Sequence, residues 1–138
     1  MSVKRPWLEH YDDGVPATLA PYPEKTLLDV LRETAAERPG HTATIFKGAR
    51  LSYGELDRLS DAFAAALAAR GVVPGDRVAL LMPNCPQMVV SQVGAWKAGA
   101  VVVPLNPLCA DEELAPALGN TGARVARSEE HTSELQSH

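Results

Sequence analysis

The sequence predicts an α/β fold built on an open, mainly parallel sheet flanked by helices, and three observations carry that prediction. Residues 78–82 (VALLM) and 101–103 (VVV) are unbroken apolar runs without alternation, the pattern of strands buried on both faces. One helix fits between them: Asn84 can cap it, Pro86 stands in its first turn, and Gly99 closes it. Val89, Val93 and Trp96 then fall on one side at helical spacing, so residues 75–107 read as a complete strand, crossover helix and parallel strand.

The remaining elements follow in chain order. Residues 1–25 are rich in proline and aromatics and show no helical or strand period, which predicts an extended arm anchored by Trp7, Tyr11 and Tyr22. Thr26 and Asp29 open a first helix with Leu28, Leu31 and Ala35 on one side, and Arg38, Pro39 and Gly40 stop it. Residues 42–46 and 50–53 read as a hairpin turning at Lys47, Gly48 and Ala49. Ser52 and Glu55 form a capping box for a helix lined by Leu56, Leu59, Phe63 and Leu67 and ended by Gly71. After the central unit, residues 111–119 carry acidic side chains in a first helical turn, where the dipole favours them. Pro116 interrupts that helix and should kink or shorten it. Residues 123–126 begin another strand.

A chain of 138 residues makes one domain of ordinary size, and 46% hydrophobic residues can fill its core. The net charge of -4, with both signs interspersed, excludes a nucleic-acid stripe or attraction to anionic lipid. No apolar run is long enough to span a bilayer, and the opening residues lack the apolar centre of a secretion signal, so a cytoplasmic location is expected. The two cysteines, Cys85 and Cys109, match no zinc or redox spacing. They read as small buried side chains; a reactive Cys85 at a helix amino terminus is the alternative, with no histidine close in sequence to support it.

GDRVALLMPNCPQ, AGAVVVPLNP and the upstream LSYGELDRLSDAFAAALAARGV together resemble the amino-terminal part of adenylate-forming acyl-CoA synthetases over residues 27–125, most like the fatty-acid-CoA ligases. Peptide-synthetase adenylation domains and luciferase-like ligases share these blocks. The resemblance implies that the chain is the incomplete amino-terminal part of such a sheet, with residues 26–126 a partial subdomain. It also implies a parent enzyme joining a small-molecule carboxylate to coenzyme A through an acyl-adenylate, using ATP and Mg2+. The Gly-rich phosphate loop, the aromatic and acidic block and the catalytic lysine of the family all fall beyond residue 126. No catalytic, cofactor-binding or metal residue is therefore assigned here, no cofactor is expected on this segment alone, and the 138-residue chain is expected to be inactive.

The residues present agree with that expectation. Gly94 and Gly99 have the spacing of a P-loop, yet Ala100 and Val101 stand where lysine and a hydroxyl are required. Of Lys4, Lys25, Lys47 and Lys97, the last sits near a helix end, where a cation suits the dipole. His10 and His41 are isolated, and catalysis at either would need a partner nucleophile or base. Asn84 and Asn106 follow strands at the edge where open α/β sheets bind ligands, although capping and turn roles already account for both. A free-standing α/β module binding a nucleotide at that edge is the second reading.

Residues 127–138, RSEEHTSELQSH, depart from the rest: Leu135 is the one apolar residue, and two of the four histidines, His131 and His138, lie here. The stretch resembles the translation of a common sequencing-library adapter. It is expected to be an artefactual tail rather than a source of metal ligands.

Overall fold

The computed structural model describes residues 4–109 and 111–128. A short 3-10 turn, Pro6–His10, precedes helix α1 (Leu27–Glu37), the hairpin β1 (Thr42–Phe46) and β2 (Ala49–Ser52), and helix α2 (Tyr53–Ala69). The parallel unit follows as β3 (Arg77–Leu81), α3 (Pro86–Lys97) and β4 (Val101–Leu105), then α4 (Asp111–Thr121) and β5 (Val125–Ser128). The expected class holds: a three-stranded parallel sheet in the order β4-β3-β5, with helices packed on it and a separate antiparallel hairpin.

Both capping boxes form. Thr26 Oγ1 accepts from the Asp29 amide while the Asp29 carboxylate accepts from the Thr26 amide. Ser52 and Glu55 repeat the exchange at α2. Each satisfies two amide groups that a helix start otherwise leaves without partners. At the other ends, Gly71 and Gly99 have positive φ, the conformation that closes α2 and α3.

Strand β3 is the middle of the sheet and is buried on both faces: Val78, Ala79 and Leu80 have no exposed surface. Val78, Leu80 and Met82 point the same way by strand alternation and meet Leu67, Val72, Ala95 and Ala100 in the core. Strand β4 differs from the reading of residues 101–103 as doubly buried. Val101 is 50% exposed, and among the described strands β4 has only β3 as a neighbour.

Helices α2 and α3 press together tightly. A Cβ on Gly94 would lie 2.7 Å from the Ser60 carbonyl oxygen and 2.9 Å from Phe63 Cδ1. Ser60, not Leu59, therefore holds the buried side of α2, and Leu59 remains 39% exposed. A second close approach joins the loop before β3 to the end of α3, where a Cβ on Gly99 would meet Pro74 Cβ at 3.0 Å. Gly75 N donates to the Gly99 carbonyl and Val101 N to that of Asp76, tying both loops together.

Several expectations are corrected. The cap of α3 is Cys85 rather than Asn84, and it makes no side-chain capping bond. Trp7, Tyr11 and Tyr22 are 51%, 45% and 67% exposed, so they do not anchor the arm, which also contains the 3-10 turn. Strand β2 starts one residue earlier than expected, at Ala49, and Tyr53 opens α2 instead. Pro116 lies within α4 without shortening it; the helix runs on to Thr121, and Gly122 N bonds back to the Leu118 carbonyl. The last strand, expected to begin over residues 123–126, is β5 at Val125–Ser128, pairing Arg127 with Leu80 and Ser128 with Leu81. The rest of the proposed tail, including His131 and His138, lies outside the described residues.

Candidate functional site

The parallel register pairs Leu81 with Leu105, so the segments that follow, residues 82–85 and 106–109, leave the same edge of the sheet. In an open α/β sheet this is where ligands are held. Asn106 is committed to its own loop: its Oδ1 accepts from the Leu108 amide at 2.9 Å, and Cys109 N donates to its carbonyl. Asn84 is exposed and lines a cleft of about 400 Å³ between β1 and the amino end of α3, together with Thr44, Phe46, Pro86, Met88 and Gln92. Cys85 is buried in the same wall, and Cys109 is half-buried.

The cleft is mainly apolar, and among the described residues its lining carries no charged side chain to offset a triphosphate. Gly94, the first glycine of the P-loop-like spacing, lies inside α3, where it serves the contact with α2 instead of a phosphate loop.

The Lys97 side chain is nearly closed off from solvent, only 5% exposed. It does not act through the helix dipole alone, as its position suggested. Its ammonium donates to Asp57 Oδ1 at 2.6 Å, to the Asp57 carbonyl at 2.9 Å and to Asp61 Oδ1 at 2.7 Å. All of its donors are thereby used in holding α3 to α2. Sequence reasoning missed Asp57 and Asp61; their spacing of four marks one side of a helix, but nothing local links that side to a lysine 40 and 36 residues away.

The other candidates are scattered. Lys25 forms an exposed pair with Glu33 at 2.7 Å, and hydrogen bonding to that carboxylate, reinforced by its charge, raises the Lys25 pKa. Lys47 lies over the Phe46 ring, 5.4 Å from its centroid. His10 and His41 are exposed, on the 3-10 turn and just before β1. Among the described residues, no group of three or more His, Cys, Asp or Glu side chains could hold a metal ion, and no helix is long and apolar enough to cross a membrane.

An open parallel sheet with two closely packed helices on its core face, joined to a small hairpin, defines an amino-terminal subdomain of the kind found in adenylation enzymes. A model of the AMP-binding enzyme family matches residues 31–137, and the chain belongs to that family. It is 43% identical over 116 residues to a long-chain-fatty-acid-CoA ligase of Bacillus subtilis, covering 83% of this chain and 20% of the relative. A ligase of the same description from Escherichia coli O6:H1 is 36% identical, with 88% of this chain and 22% of the relative covered. The chain thus spans about a fifth of the length of these curated relatives.

Two solved structures show the same architecture. The N-terminal domain of FACL13 from Mycobacterium tuberculosis superposes with a TM-score of 0.70 at 35% identity, covering 75% of this chain and 27% of that one. The N-terminal subdomain of Klebsiella oxytoca NpsA, solved with 3-hydroxyanthranilyl-AMSN, gives a TM-score of 0.72 at 30% identity, covering 78% and 28%.

Proposed function

We propose that this chain is the opening segment of an ATP-dependent fatty-acyl-CoA synthetase, in which it serves as scaffold and carries none of the reacting groups. The whole enzyme would join a fatty acid to AMP with release of pyrophosphate, then pass the acyl group to the thiol of coenzyme A. ATP, Mg2+ and coenzyme A would be held by residues beyond those described, and a cytoplasmic location fits a substrate of this kind.

The observation that carries the reading is the gradient of identity: 43% to the Bacillus fatty-acid ligase against 31% to tyrocidine synthase 2, a peptide synthetase. It favours a fatty acid over an amino acid as the carboxylate. Recovering the gene beyond codon 126, expressing its product and measuring pyrophosphate exchange tests this directly. Exchange is expected with fatty acids and not with amino acids; the reverse preference overturns the assignment. The same sequencing tests the proposal that residues 127–138 are adapter read as code, since those twelve codons should be missing from the intact gene.

A further inference from the structure

We draw no further inference here: the strongest candidate, the cleft between β1 and the amino end of α3, has no charged side chain among its described lining residues, and Thr44 Oγ1, an unpartnered polar atom in its wall, is shut off from its open space, so nothing shows what would occupy it.

Discussion

Lys97 brings a positive charge into a nearly closed position, and two carboxylates with one carbonyl oxygen make that position tolerable. Asp57 and Asp61 retain 35% and 65% of their side-chain exposure, so water still screens their half of the interaction. Lys97→Met should therefore cost about 1–3 kcal/mol, below the loss from breaking a fully buried pair, chiefly by leaving the Asp57 carbonyl and two neighbouring carboxylates without their shared donor. Asp61→Asn, at the exposed end, should cost less than about 1 kcal/mol. Urea unfolding of the chain on a soluble carrier reads both, and equal losses would argue against this division of the work.

Acid sensitivity also belongs to single residues. Hydrogen bonds from Thr26 lower the Asp29 pKa, and those from Ser52 lower that of Glu55. A carboxylate with a depressed folded pKa contributes stability above its unfolded value, about 4, and loses it as pH falls through the folded value. Lys25 runs the opposite way. Its raised pKa gives a contribution present below about 10.4 and lost as pH rises through the folded value. Helical circular dichroism should stay level from neutral pH down to about 5 and fall only below the ordinary carboxylate range. Glu55→Gln, which can keep the reciprocal bond without the charge, should flatten part of that fall.

At the scale of elements, the contact between α2 and α3 holds the scaffold together. Gly94→Ala removes a poor helix former, a change worth up to about 1 kcal/mol of gain in an exposed helix. Here the new methyl would collide with backbone at the Ser60 carbonyl, and the expected net result is a loss of about 1–3 kcal/mol. Gly119→Ala in α4 is the control, because nothing lies within 4 Å of its added carbon, and it should stabilise. A gain from both substitutions would show that α2 and α3 have room to part. Ser52→Ala, which deletes one capping hydroxyl, should cost about 1 kcal/mol in the same unfolding assay.

At the scale of the whole molecule, the open sheet governs behaviour. Among the described strands β4 pairs only with β3, and Val101 on it is half exposed. Unpaired edges promote association. The 138-residue chain expressed alone should elute as associated species in light-scattering chromatography and show no pyrophosphate exchange with any carboxylate. A monodisperse monomer with cooperative unfolding and measurable ATP binding would instead favour a free-standing binding module.

What could be read from sequence was local. Thr26 with Asp29 and Ser52 with Glu55 declare two helix starts within four residues each, Gly71 and Gly99 declare two ends, and the run through Val78 and Leu80 declares the central strand. These signals depend on hydrogen bonds and dihedral angles among near neighbours, so they survive in the bare chain. The arrangement in space did not reside in any short stretch: that β5 joins β3 and leaves β4 at the edge, that Ser60 displaces Leu59 from the seam, and that Lys97 is claimed by Asp57 and Asp61 all depend on elements far apart in sequence coming together. For the candidate site the division is the same. Sequence marked the strand ends at Asn84 and Asn106, and the turn that Asn106 makes with Leu108 and Cys109 is local enough to be read there. Packing alone set Asn84 on the cleft beside β1, because which side chains face one another is decided only when helices and strands dock.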